Sequence, residues 1–114
     1  MAKNNEDESI PDDVWEKAEK IPNPNLDASK WRKDYAGAWI CHDSYGDRNS
    51  DYGWEIDHRK PVAKGGTDDL NNLDPLQWDN NLTKGDDYPS WTTSVSSEGS
   101  KNIPKTQSWQ VKQQ

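Results

Sequence analysis

The sequence has little of the material that usually builds a core or cross-links a chain. Phe is absent, and Leu, Ile and Val together make up only about an eighth of the 114 residues. Combined with a formal net charge of −7, this composition is typical of disordered chains. The single cysteine, Cys41, excludes an internal disulfide, and the lack of a Cys-x-x-Cys pair argues against a structural zinc site. No stretch approaches membrane-spanning length, so we expect no membrane association.

Aromatic residues compensate for the missing aliphatic ones. The chain contains seven Trp and four Tyr, and aromatic side chains bury roughly 150–250 Å² each. We therefore expect one folded domain with a small core built around indole rings, in which Cys41 is a buried apolar residue. Such a core stabilises weakly, so a bound metal that joins distant segments would add to the folding free energy.

The negative charge is concentrated at the start of the chain. Residues 1–20 contain three lysines and seven acidic residues, a net charge of −4: Glu6, Asp7, Glu8, Asp12, Asp13, Glu16 and Glu19. The remainder is nearly balanced, so the overall acidity does not exclude phosphate contacts elsewhere. Residues 1–10 also lack the basic end and apolar run of a secretion signal, and we expect a soluble, cytoplasmic protein.

Local patterns predict a helix near the start. Pro11 suits the first helical position, acidic residues follow it in the first turn, and Pro22 prevents continuation. We therefore predict a helix from Pro11 to Lys20. Its apolar stripe would consist of Ile10, Val14, Trp15 and Ala18.

Two strands are predicted in the middle of the chain. Ala36–Cys41 is expected to be a short strand. Trp54–Asp57 alternates apolar and acidic residues, which predicts a strand whose two apolar residues face the core. The carboxylates of Glu55 and Asp57 would then lie on an exposed working surface.

A short helix is predicted after a loop over residues 61–71. Leu73–Leu76 is expected to be extended. Asp79 is expected to cap a helix that ends with Lys84, because Gly85 stands where a left-handed residue is favoured.

Residues 55–84 contain a series of short motifs in a fixed order. The series consists of Glu-Ile-Asp-His at Glu55–His58, then Pro61, Gly65-Gly66, Asn72-Leu73, and Asn81-x-x-Lys84-Gly85. It closely resembles the HNH endonuclease family. The similarity to small standalone bacterial and phage HNH proteins extends over roughly residues 11–90.

The resemblance implies an α+β fold with a small ββα-metal core, of the HNH or His-Me finger type, at about residues 53–86. The expected segments are a flexible acidic N-terminus at residues 1–10, an HNH nuclease domain at 11–90 and a C-terminal tail at 91–114. Within the tail, residues 92–97 and 108–111 either pair as a short hairpin or stay loosely ordered. One large HNH subgroup binds a stabilising zinc through cysteine pairs. The present chain has none, so we expect no structural zinc, and Trp54 and Trp78 are candidates to replace it by packing.

Each chemical need of phosphodiester cleavage has a candidate residue. The reaction requires a nucleophilic water, neutralisation of phosphate charge and help for the leaving oxygen. An unperturbed imidazole titrates near neutral pH, so His58 is the candidate general base. Asp57 and Asn81 supply oxygen ligands suited to a hard cation, and we predict Mg²⁺ there, with Mn²⁺ as a substitute. The resemblance assigns Asn72 to bracing the loop and orienting the base.

Basic residues near this set are the predicted nucleic-acid contacts. Lys84 follows Asn81 by one helical turn and is expected to face the same phosphate, as part of the catalytic set. Arg59, Lys60 and Lys64 add local positive charge. We expect contacts to the nucleic-acid backbone without sequence readout.

Two residues beside the set leave alternatives open. Arg48 either contacts DNA or pairs with its neighbours Asp47 and Asp51. Glu55 either forms a bridge with a Lys or Arg or contacts a side chain that holds the metal, and we favour the second interpretation.

The leading hypothesis is a metal-dependent endonuclease that cuts DNA, in a bacterial cell or a phage-infected host. The first alternative is a catalytically silent HNH-fold protein that binds a partner through its acidic surface, for which the acidic N-terminal helix is the candidate. The second is a nuclease toxin with a separate immunity partner.

Overall fold

The computed structural model describes residues 10–111. Within this range the chain is α+β, with three two-stranded antiparallel sheets and two helices. The first helix, α1, occupies residues 10–15. The later elements are β1 (Trp31–Lys33), β2 (Trp39–Cys41), β3 (Trp54–His58), β4 (Leu73–Gln77), α2 (Trp78–Lys84), β5 (Ser90–Glu98) and β6 (Lys101–Gln110). Short 3₁₀ turns lie at His42–Ser44, Val62–Lys64 and Leu70–Asn72.

The first helix ends earlier than predicted. It stops at residue 15 rather than at Lys20. The reason is that Glu19 pairs with Lys33 of β1: each backbone N–H donates to the other's carbonyl, at 2.9 and 3.1 Å. The predicted apolar stripe is nevertheless buried, with Ile10 partly so. The acidic segment predicted for residues 1–10 lies, apart from Ile10, outside the described residues.

The strand predicted from Ala36 begins only at Trp39. Asp34, which is 1% exposed, folds the preceding residues into a turn. Its carboxylate accepts hydrogen bonds from the backbone N–H of Ala36 and of Ala38, at 3.0 and 2.9 Å. Gly37 lies in this turn with a φ of +91°, a conformation that favours glycine.

Asp34 also fastens this turn to the junction of β4 and α2. Its second carboxylate oxygen accepts from the backbone N–H of Gln77 at 2.9 Å and from the side chain of Asn80 at 3.1 Å. Gln77 in turn caps α2, since its side-chain oxygen accepts from the N–H groups of Asp79 and Asn80. The predicted cap, Asp79, is therefore wrong, and the cap lies two residues earlier.

The elements β3, β4 and α2 follow one another in the predicted order. β3 pairs with β4 from Trp54 opposite Gln77 to His58 opposite Leu73. α2 follows β4 without a loop and ends at Lys84. The end of β3 therefore lies beside α2, which determines where the candidate site forms.

The C-terminal segment forms a hairpin, the first of the two predicted alternatives. β5 pairs with β6 from Ser90 opposite Gln110 to Glu98 opposite Lys101, with an irregularity between Thr93 and Val95. At this irregularity the side chain of Asn80 in α2 supplies hydrogen bonds to the backbone of β5. Its Oδ1 accepts from the N–H of Ser94 and Val95, and its Nδ2 donates to the Val95 carbonyl. This side chain joins the hairpin to α2.

The core is built around indole rings, as predicted. It consists of Val14, Trp15, Ala18, Ile40, Trp54 and Leu73. The rings of Trp15 and Trp54 lie 5.4 Å apart, and Cys41 is a buried free thiol. No helix among the described residues is long and apolar enough to cross a membrane.

Candidate active site

A cavity of about 370 Å³ lies between the end of β3, α2 and the loop that follows β3. Asp57, His58 and Asn81 all line it. The strand supplies the first two side chains and the helix supplies the third. The structure thus brings the predicted general base and the two predicted metal ligands to one opening.

The alternating pattern predicted that Asp57 lies on an exposed surface. In the structure its side chain is buried, with only 5% of the residue exposed. The Asp57 carboxylate is covered because the buried side chain of Lys84 packs against it. Asp57 Oδ1 lies 3.3 Å from Lys84 Nζ, whereas Oδ2 is buried without a hydrogen-bond partner among the described residues. Burial raises the pKa of Asp57 to about 6, and the Lys84 ammonium opposes this shift.

Lys84 does not face a phosphate, and its predicted contact is corrected. Its side chain is fully buried. The ammonium donates to the carbonyl oxygens of His58 and Arg59, at 3.2 and 3.1 Å, and lies 5.0 Å from the centre of the Trp91 ring. The position one turn after Asn81 is closed by β5, so Lys84 anchors α2 to the end of β3.

His58 is held by a residue that the sequence did not single out. Its Nε2 lies 2.7 Å from a carboxylate oxygen of Asp68, in the loop between β3 and β4. Among the described residues, no group hydrogen-bonds Nδ1. The only sequence signal was an acidic residue shortly after Gly65-Gly66, which is too common to be decisive.

Asn72 joins the two ends of this loop. Its Oδ1 accepts from the backbone N–H of Lys60 at 2.9 Å, and its Nδ2 donates to the carbonyls of Lys60 and Thr67, at 3.1 and 2.8 Å. Thr67 immediately precedes Asp68. The Asn72 amide therefore fixes the backbone that carries the partner of His58.

Glu55 forms the bridge with an arginine that was considered for it, and it also contacts Asn81, the predicted metal ligand. Arg48 donates to its carboxylate through Nε at 2.7 Å and through Nη2 at 3.0 Å. Pairing of Arg48 with Asp47 or Asp51 is therefore wrong, because a bidentate partner lies across the loop. Asn81 Nδ2 also donates to Glu55, at 2.9 Å, and the hydrogen bond from Arg48 lowers the pKa of Glu55. The hydrogen bond from Asn81 Nδ2 to Glu55 fixes the Asn81 amide group. Asn81 Oδ1 is therefore the atom that remains to interact with other groups.

Few of the predicted basic contacts remain free to bind phosphate. Arg59 is held by Asp74 at 3.0 and 2.9 Å and lines a different cavity. Lys60 and Lys64 are exposed. The positive charge available beside the cavity is therefore smaller than the sequence predicted.

Residues 40–87 match the family model described as HNH endonuclease. The match covers somewhat less than half of the chain and supports membership of the HNH family. The match contains the whole motif series, from Glu55 to Gly85, but neither α1 nor the β5–β6 hairpin. Comparisons with curated proteins and with solved structures gave no match. A domain of the HNH type indicates a nuclease-type function and a nucleic acid as the substrate in general.

HNH domains typically use a divalent metal, and the oxygen atoms at the cavity suit a hard cation. The unpartnered Oδ2 of Asp57 is the decisive feature, because a buried carboxylate oxygen without a donor is costly unless a ligand satisfies it. The described residues contain no group of three or more His, Cys, Asp or Glu side chains that could hold an ion. A cation here would therefore need water or substrate oxygens to complete its coordination.

Proposed function

We propose that this HNH protein is a metal-dependent endonuclease that hydrolyses DNA phosphodiester bonds and nicks one strand with little sequence preference. The observation that carries the proposal is the unpartnered, buried Oδ2 of Asp57 in the same cavity as His58 and Asn81. The described residues form one such candidate active site, and a single active site cuts one strand at a time.

Asp57 Oδ2 and Asn81 Oδ1 are the proposed ligands of Mg²⁺, or of Mn²⁺ in its place. When bound, the cation supplies positive charge to the scissile phosphate and to the departing 3′ oxygen. Lys84 pairs with Asp57 Oδ1, so Oδ2 is the carboxylate oxygen that has no partner among the described residues. Glu55 orients the Asn81 amide through its hydrogen bond to Nδ2.

His58 is the proposed general base. Donation of its Nε2–H to Asp68 places the proton on that nitrogen, and the tautomer then leaves Nδ1 as the acceptor for a proton from water. Asn72 contributes from a distance, because it fixes the loop backbone next to Asp68. The proposed base is thus linked to Asp68 by a hydrogen bond, and Asp68 follows the residue that Asn72 holds.

The DNA contacts are proposed to be weak and confined to the backbone. Lys60 and Lys64 are the exposed cations on the loop after β3. Arg48 and Arg59 are bound to carboxylates of the protein itself. This distribution supports backbone recognition over reading of base edges.

The test is nicking of supercoiled plasmid by the wild type and by His58→Ala, with Mg²⁺, with Mn²⁺ and with a chelator. We expect nicking by the wild type that the chelator abolishes, and a rate about 10²–10⁴-fold lower for His58→Ala. His42→Ala is the matched control, because the only other histidine pairs with Asp12 and Asp43 away from the cavity. A wild-type rate in His58→Ala would reject His58 as the base.

No cleavage in any metal, together with binding to a basic protein, would favour the silent interaction protein instead. A second cavity supports that alternative, since carboxylates of Asp12, Glu16, Asp27 and Asp43 line it. Binding of a basic partner there, without nicking, would replace the nuclease proposal.

A further inference from the structure

A separate cavity of about 300 Å³ lies beside the end of β3. It is lined by residues from the turn between β1 and β2, the residue after β3, β4 and the β5–β6 hairpin. Its lining residues are Tyr35, Arg59, Asp74, Trp91, Trp109 and Gln110. Three of the six are aromatic, and the other three present groups that can form hydrogen bonds.

The aromatic rings are held in place by bonds to their polar edges. Trp91 Nε1 donates to the Tyr35 hydroxyl at 2.9 Å, and Trp109 Nε1 donates to the Thr93 hydroxyl at 2.9 Å. The rings of Tyr35 and Trp109 meet edge to face, 5.0 Å apart. Tyr35 is 36% exposed and Trp109 is partly exposed. Rigid, partly exposed rings can stack on a planar ligand with little loss of side-chain entropy.

One buried side chain separates this cavity from the candidate active site. Lys84 contacts the carboxylate of Asp57 on one side and the ring of Trp91 on the other. Arg59, which lines the aromatic cavity, follows His58 in the chain. The two cavities are therefore neighbours, joined by Lys84 and by the adjacent residues His58 and Arg59.

We propose that this aromatic cavity binds one unpaired nucleobase of a single-stranded segment of the substrate. The base stacks on Trp109 and meets the ring of Tyr35 edge to face, while Arg59, Asp74 and Gln110 lie at its polar edges. In a duplex the bases are already paired and stacked, so the cavity would favour single-stranded DNA. The inference rests on the proposed function only in taking nucleic acid as the substrate.

The first test measures binding in a chelator, so that cleavage does not interfere. Intrinsic tryptophan fluorescence is followed during titration of the full chain with a short single-stranded oligothymidylate and with the same strand lacking its bases. We expect quenching and about 5- to 150-fold tighter binding for the strand that carries bases, which corresponds to one stacked base. Equal binding of the two strands would overturn the proposal even if every variant failed to fold.

Variants identify the cavity as the site. Trp109→Leu should weaken oligothymidylate binding by a similar factor, whereas Trp109→Phe keeps a ring and should stay within a few-fold of the wild type. A purely structural role would instead make both variants lose binding, because both lose the bond to Thr93. Trp31→Leu is the matched control, since Trp31 packs against Tyr52 outside the cavity.

Plasmid nicking separates this inference from the proposed function. Nicking by the wild type with unchanged oligothymidylate binding by folded Trp109→Leu would overturn the base-binding cavity alone. Trp109-dependent binding without any nicking would support the cavity and remove the nuclease assignment. Thermal melting of each variant establishes that it is folded.

Discussion

Replacing Lys84 by Met removes the ammonium from a fully buried position and keeps most of the side-chain volume. Even with Lys84 present, burial raises the pKa of Asp57 from its ordinary 3.8 to about 6, which corresponds to about 3 kcal/mol against the ionised carboxylate. Removing one partner of a buried ion pair costs about 3–5 kcal/mol. That is a large part of the roughly 5–15 kcal/mol by which small domains are stable. We therefore expect Lys84→Met to be severely destabilised at neutral pH.

The loss should depend on pH in a defined direction. Because the folded protein raises the pKa of Asp57, protonation stabilises the fold, and this contribution is lost as the pH rises through about 6. Without Lys84 the pKa rises further. The stability deficit of Lys84→Met should therefore be smaller at pH 5 than at pH 8, as measured by urea denaturation. The double variant Asp57→Asn/Lys84→Met, which removes both charges, should recover much of the loss.

A divalent cation should compensate for the missing ammonium. Mn²⁺ at Asp57 would supply the positive charge that Lys84 provides, so the metal-induced rise in melting temperature should be larger in Lys84→Met than in the wild type. The reasoning would be refuted by wild-type stability of Lys84→Met at pH 8 combined with weakened DNA binding. That result would restore the phosphate contact that the sequence predicted.

Four further outcomes are expected. Asp68→Asn should lower kcat about tenfold or more with KM unchanged, because it loosens the hold on His58; an equal change in KM would point to lost binding instead. Asn81→Ala should reduce the metal-induced rise in melting temperature, whereas exposed Asn71→Ala should not; equal shifts would reject Asn81 as a ligand. Mn²⁺ affinity, measured by calorimetry, should fall by nearly tenfold for each pH unit below about 6, as Asp57 takes up a proton; constant affinity between pH 5 and 7 would exclude this carboxylate. With two exposed lysines at the site, log K for DNA against log salt should have a slope of about −2, and a slope near −10 would show a much larger basic surface.

The motif predicted which residues meet at the candidate site, because spacing along β3 and α2 is a local property. Asp57 and His58 are adjacent on one strand, and Asn81 lies on the helix that follows its pairing partner. The order of strand, strand and helix also follows from local patterns of residues. These features require no knowledge of what packs from elsewhere.

The sequence did not predict how Lys84, Arg48 and Arg59 are held, because the partner of each lies on another element of the fold. Lys84 is enclosed by Trp91 of the hairpin, Arg48 is bound by Glu55, and Arg59 is bound by Asp74. A count of charges along the sequence predicts that such residues are exposed to solvent. In the folded chain they form ion pairs with its own carboxylates.

The segment that carries the family motif is shorter than the segment that must fold as a unit. α2 lies within the matched residues 40–87, but its start is tied to Asp34 and its buried face to Ser94 and Val95. The core also needs Val14 and Trp15 of α1. A transfer of the motif segment alone into another protein would therefore carry the reactive side chains without the contacts that hold them. For this chain, the smallest segment that could be transferred with its fold intact is longer than the matched residues 40–87.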